Sequence, residues 1–164
     1  MKRLLALICA ALSALGLAAC EELDPYRALR PGSSTAEEVR ARLGPPQREW
    51  PDAQEGTTTW EYSHQPEGAE CYMLTFAADG VLIAVDQVLN EARFARIQPG
   101  MDEEAVSRLL GRPARNEFFA LKQERVWSWR IERGSTIVEP TFFTVSFDTA
   151  GRVVATGRYT QPRP

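Results

Sequence analysis

The chain has 164 residues, with 19 basic and 22 acidic side chains, one histidine and a formal net charge of −3. Arginines are scattered from Arg27 to Arg163 with no block of like charge. This excludes a nucleic-acid footprint and a polybasic membrane patch.

Met1-Lys2-Arg3 is a charged start, and Leu4 to Leu15 is an almost wholly apolar run of about a dozen residues, too short to span a bilayer as a helix. Leu17-Ala18-Ala19-Cys20 follows, the pattern of a lipoprotein signal peptide. Residues 1–19 are therefore expected to be removed, and the Cys20 thiol to carry a diacylglycerol. Several acyl chains at one terminus give an effectively permanent anchor. Lys2 and Arg3 leave with the signal, so 17 basic side chains face 22 acidic ones in the mature chain. Cys9 leaves too and Cys20 is consumed, so Cys71 is the single free thiol and no intrachain disulfide can form. Residues 20–28 read as a lipidated tether.

The remainder is a repeat, residues 29–89 and 90–160. Leu29-Arg30-Pro31-Gly32, Thr35-Ala36-Glu37-Glu38-Val39 and Leu43-Gly44-Pro45-Pro46 return as Ile97-Gln98-Pro99-Gly100, Asp102-Glu103-Glu104-Ala105-Val106 and Leu110-Gly111-Arg112-Pro113. Thr35 and Asp102 are helix N-caps, and Glu38 completes a capping box. The glutamates of both first turns suit the helix dipole. Val39 and Leu43, then Val106, Leu109 and Leu110, form an apolar stripe that ends at Gly44 and Gly111, where a left-handed cap is expected.

Trp60-Glu61-Tyr62 answers Trp127-Ser128-Trp129, and Phe76 with Gly80 answers Phe147 with Gly151. The offset is 67 residues through the helix and first strand and 71 in the next, so the second hairpin loop is four residues longer. Facing the apolar rows pairs Trp60 with Phe76, Tyr62 with Leu74 and His64 with Tyr72; it likewise pairs Trp127 with Phe147, Trp129 with Val145 and Ile131 with Phe143. The predicted fold is α+β: a tandem repeat of two short helices followed by a three-stranded antiparallel meander, with helices on one face of the sheet. Each copy is near the lower size limit for folding alone, so the two are expected to dock.

Pro99-Gly100-Met101, Leu110-Gly111-Arg112-Pro113, Trp127-Ser128-Trp129-Arg130-Ile131-Glu132-Arg133-Gly134 and Phe147-Asp148-Thr149-Ala150-Gly151-Arg152-Val153 resemble the SmpA/OmlA/BamE family of small lipoproteins of the Gram-negative outer membrane. The resemblance implies a non-enzymatic role in envelope protein assembly. The first copy departs from it, with Gly32-Ser33-Ser34-Thr35 in place of glycine-methionine. The tandem arrangement is similar to the beta-lactamase inhibitor protein, which implies the alternative of a binder that inhibits or regulates a periplasmic enzyme.

Catalysis has little to stand on. His64 is the one histidine; it is expected to face inward, with Cys71 in the loop or on the opposite face, so the two do not form a dyad. Nor do they suffice for a tetrahedral metal site, and glycine-rich phosphate loops are absent, so no cofactor is expected. Binding is better supported. Met73, Thr75, Val81, Ile83 and Val85 alternate onto the sheet face opposite the tryptophans, an apolar face that needs a cover from the other repeat or another protein. Phe118-Phe119-Ala120-Leu121 reads as an apolar loop. Met73, Ile83, Val85, Phe118 and Phe119 are thus the candidate protein-binding residues. The expected partners are the membrane, through the lipid on Cys20, and an envelope protein. Glu21 after Cys20 favours the outer membrane, with the chain facing the periplasm.

Overall fold

A computed structural model describes residues 24–132 and 138–162; the signal segment and Cys20 lie outside the described residues. The chain is α+β, two four-stranded antiparallel sheets in tandem with a few short helices. In order the elements are α1 (Ala36–Leu43), β1 (Arg48–Asp52), β2 (Thr57–Ser63), β3 (Cys71–Phe76), β4 (Leu82–Gln87), α2 (Glu91–Phe94), α3 (Glu103–Leu110), β5 (Arg115–Phe119), β6 (Glu124–Arg130), β7 (Thr141–Phe147) and β8 (Val153–Thr160). The strand orders are β1-β2-β3-β4 and β5-β6-β7-β8.

Each sheet therefore has one strand more than the expected meander. β1 carries Pro51, which removes a ladder donor and is tolerated because an edge strand pairs on one side only. β5 is its counterpart, and it takes in Phe118 and Phe119, which were expected in a loop.

The hairpins slide by two residues from the expected register. Trp60 faces Leu74, Tyr62 faces Tyr72, Trp127 faces Val145 and Trp129 faces Phe143. A slip of two leaves every side chain on its face. Trp60 still meets Phe76 diagonally, at 4.5 Å between ring centroids, and Trp127 meets Phe147 at 4.8 Å.

The helix ends follow the caps. Thr35 and Glu38 form the full capping box, and the Asp102 carboxylate accepts from the Ala105 N–H at 2.8 Å. Gly44 and Gly111 have φ of 80° and 72°, but their ψ near 180° places them in an extended mirror region that only glycine enters, not in the left-handed helix. Their carbonyls are capped from the sheet: the Tyr62 hydroxyl donates to Gly44 O at 2.9 Å, and the Trp129 indole N–H donates to Gly111 O at 3.1 Å.

The equivalence extends upstream of Leu29. Tyr26 stacks on Tyr72 at 3.7 Å just as Phe94 of α2 stacks on Phe143 at 4.2 Å. With Leu29, Val39, Trp60, Tyr62, Leu74, Phe76 and Leu82, Tyr26 forms the first core under α1. The second core is larger. It joins Val106, Leu110, Trp127, Trp129, Phe143, Val145 and Phe147 to Trp50, Cys71 and Met73 from the outer face of the first sheet. The first sheet is thus buried on both faces, by its own helix and by the second repeat.

Both sheets carry a register shift at the same place, between Thr75 and Phe76 and between Ser146 and Phe147. The extra residue turns Leu82 and Val85 to the same inner side, where Val85 packs against the first core. Val85 is therefore corrected from the outer to the inner face, and strict alternation fails at the bulge.

Candidate functional site

The junction between the repeats is built around a carboxylate. Glu61 projects from the outer face of β2 and is 1% exposed. One of its oxygens accepts from the Arg112 N–H at 2.6 Å and the other from the Trp50 indole N–H at 3.3 Å. A buried carboxylate without such bonds would cost several kcal/mol, so the Arg112 N–H ties the second repeat to the first, with the Trp50 indole satisfying the other oxygen. Gly111 lies directly against it: a β-carbon there would stand 2.5 Å from Cys71 Sγ and 3.2 Å from the Glu61 carboxyl carbon. Burial pushes the Cys71 thiol well above its ordinary pKa, the Glu61 charge adds to this, and a hydrogen bond with Ser63 works against it. Such a thiol stays protonated and unreactive near neutral pH. His64 is placed elsewhere. Its Nε2 lies 3.1 Å from the Tyr26 hydroxyl and its Nδ1 3.6 Å from Glu70, beside the first core. Among the described residues no group of three or more His, Cys, Asp or Glu is arranged to hold a metal ion.

Gln65 forms the second joint. Its side-chain Nε2 donates to Arg130 O at 2.8 Å, and its Oε1 accepts from the Arg130 N–H at 3.0 Å. Within the first repeat, Gln47 does the same to Ser63, at 3.2 and 2.9 Å. Ser63 and Arg130 are 67 residues apart, and so are Gln47 and Ala114. The second repeat has lost its own amide at Ala114 and receives one from the first. Sequence reading missed Gln65; the Gln47 to Ala114 exchange at constant offset was the available signal.

Of the five expected binding residues, Met73 is buried between the repeats and Val85 faces the first core, whereas Ile83, Phe118 and Phe119 are exposed. Ile83 is the bulge residue and stands apart from the others. Phe118 and Phe119 end β5 at 56% and 47% exposed, and Leu121, in the turn, is fully exposed. The turn is strained: Gln123 has φ 54° where its counterpart in the first repeat is Gly56 at 63°. A non-glycine residue in the left-handed region costs about 1–2 kcal/mol. The first repeat also blunts its edge with Pro51, and Phe118 stands at that position in the second. An apolar, unblunted, strained hairpin has the features of a contact surface.

Residues 87–157 match the outer membrane protein assembly factor BamE domain. The match falls on the second repeat, whose motifs resemble that family. Among curated proteins none matches. Solved structures similar to the chain include a DUF4309 family protein, YjgB, from Bacillus subtilis, 16% identical over 84% of this chain and 90% of that one, with a TM-score of 0.31. A proposed beta-lactamase inhibitor protein from Streptococcus mutans is 9% identical over 82% and 92%, with a TM-score of 0.32.

Proposed function

We propose that this protein is a lipid-anchored, non-enzymatic binding module at the periplasmic face of the outer membrane that assists assembly of envelope proteins. The β5–β6 hairpin is its contact, with Phe118, Phe119 and Leu121 as anchors. The observation that carries this reading is the exposure of those three side chains on the repeat that matches the BamE domain. Apolar and aromatic anchors of this kind dominate the energetics of protein interfaces. Cys20 supplies the membrane attachment.

The test uses the lipidated protein in its own envelope. Photo-crosslinkers placed at Phe118 and Leu121 should trap an outer-membrane assembly protein, and crosslinking should fall when Phe119→Ser is added without change in melting temperature. A Cys20→Ser chain should take up no labelled fatty acid. Crosslinks only to a soluble hydrolase would replace this reading with that of an enzyme regulator, and labelled fatty acid on the Cys20→Ser chain would remove the anchor from it.

A further inference from the structure

In the first repeat, the space between α1 and β1 is filled. Arg40 lies over the Trp60 ring, 4.6 Å from its centroid, and donates to Glu49 at 2.9 Å. The counterparts of this trio are Ser107, Asn116 and Trp127. Two long charged side chains have become short neutral ones, and a cleft of about 790 Å³ lies there, walled on its far side by Arg48 and Trp50 of the first repeat.

The charges around this cleft do not balance. Glu103 and Glu104 on its wall are already paired, with Arg125 at 2.8 Å and Arg108 at 2.9 Å. Arg115 borders the cleft by its backbone, and its guanidinium turns to the other face of the sheet, onto Phe142, the Tyr159 hydroxyl and the Gln161 amide oxygen. Arg48 lies over the Trp50 ring, and among the described residues no carboxylate bridges the side chain of Arg48 or Arg112. Trp127 lines the same cleft, and its buried indole N–H has no acceptor. A buried donor left unpaired costs about 1–3 kcal/mol, so an acceptor brought to it is favoured. Two uncompensated guanidinium groups and an orphan donor ask for an anion with acceptor oxygens, and an arginine fork suits a carboxylate.

We propose that this cleft binds the carboxylate of an Asp or Glu side chain from a protein ligand, with Arg48 contributed by the first repeat and Arg112, Asn116 and Trp127 by the second. The site is independent of the apolar hairpin and lies at the opposite end of β5. It exists only while the two repeats are docked.

The probe is capped glutamate, N-acetyl-glutamyl amide, titrated into the chain lacking its signal segment and Cys20. The chain has four tryptophans, so four indole N–H resonances can be assigned by substitution and followed by NMR. The Trp127 resonance should shift saturably with capped glutamate and remain unmoved by capped glutamine. The shift should be lost in Arg48→Gln/Arg112→Gln. It should be lost also in Ser107→Arg/Asn116→Glu, which refills the cleft with the first repeat's own pair and leaves the melting temperature unchanged. Equal response to capped glutamine, or saturation retained in the refilled variant, overturns the proposal. So does a Trp127 shift on phosphatidylglycerol vesicles without one on capped glutamate, which assigns the cleft to a membrane surface.

Discussion

The two repeats share their frame down to single hydrogen bonds, and they differ where one meets the other. Thr35 and Asp102 cap equivalent helices, Tyr62 and Trp129 cap equivalent glycine carbonyls, and Tyr26 and Phe94 stack on equivalent sheet positions. Gly44, however, has nothing within 4 Å of its β-position, whereas that of Gly111 is pressed onto Cys71 and Glu61. The outer face of the first sheet is covered by the second repeat. That of the second sheet closes over itself, with Tyr159 stacked on Phe142 at 5.1 Å and the Arg115 guanidinium 4.9 Å from the same ring. Self-covered outer faces of this kind are what terminal repeats carry. The shared frame makes the fold, and the departures from it make the junction and the surfaces left for others.

The largest way to break the comparison is to remove the shared aromatic row. Trp60 and Trp127 are buried at equivalent positions, and truncating such a residue costs about 3–5 kcal/mol through lost burial and the cavity left behind. Trp60→Ala and Trp127→Ala should each lower stability by that order in urea titrations. An unchanged midpoint for both would mean that the row serves partners and not the core.

Gly44 and Gly111 separate backbone from packing. Alanine at either meets a strained backbone, a cost of about 1–3 kcal/mol. At Gly111 it also meets Cys71 Sγ at 2.5 Å, and overpacking adds about 1–3 kcal/mol. Gly111→Ala should therefore be the more damaging substitution in thermal melts. Equal costs would show that the junction yields without strain.

Cys71 and its counterpart Phe142 distinguish the two outer faces by pH. In an unfolded chain a thiol ionises near about pH 8.5, whereas the folded Cys71 holds its proton to much higher pH. The folded state thus binds more protons above that value. The contribution is whole below the unfolded pKa and is lost as pH rises, at about 1.4 kcal/mol per pH unit. Comparing urea midpoints at pH 9 and 10, Cys71→Val should flatten the loss by that slope. Parallel losses in both chains would mean that the thiol is open to solvent.

Much of this frame was legible because caps and aromatic rows are local signals. Thr35-x-x-Glu38 and the Trp60 and Trp127 rows need only neighbours in sequence to be read. The register was legible in parity and not in phase, since a slide of two residues keeps every aromatic inside. β1 was hidden by Pro51, which signals a loop unless one knows that the strand is an edge. The outer-face placement of Met73 followed from alternation, that of Val85 failed because one bulge residue reverses alternation beyond it, and Phe118 and Phe119 were read as a loop where the chain forms an edge strand. Glu61 was illegible as a junction residue, since the N–H it accepts from lies 51 residues away, and Gln65 was marked only by the exchange of Gln47 for Ala114 at constant offset.

The finest comparison concerns the amide that the second repeat borrows. Gln65→Ala leaves the Arg130 N–H and carbonyl without their partner, and a lost intramolecular hydrogen bond is worth about 0.5–1.5 kcal/mol. Gln47→Ala should cost a similar amount, but within the first repeat. Ala114→Gln supplies the amide in the position that Gln47 occupies, so its effect depends on whether Gln65 is present. In the native background it should be neutral or mildly destabilising, because the Arg130 backbone is already taken. In the Gln65→Ala background it should restore most of the loss, a coupling of about 1 kcal/mol in a double-mutant cycle. Slowed hydrogen exchange at the Arg130 amide should accompany the rescue and tie it to that bond. If Ala114→Gln has the same effect in both backgrounds, Gln65 does not replace the missing glutamine, and the junction rests on Glu61 and the apolar core alone.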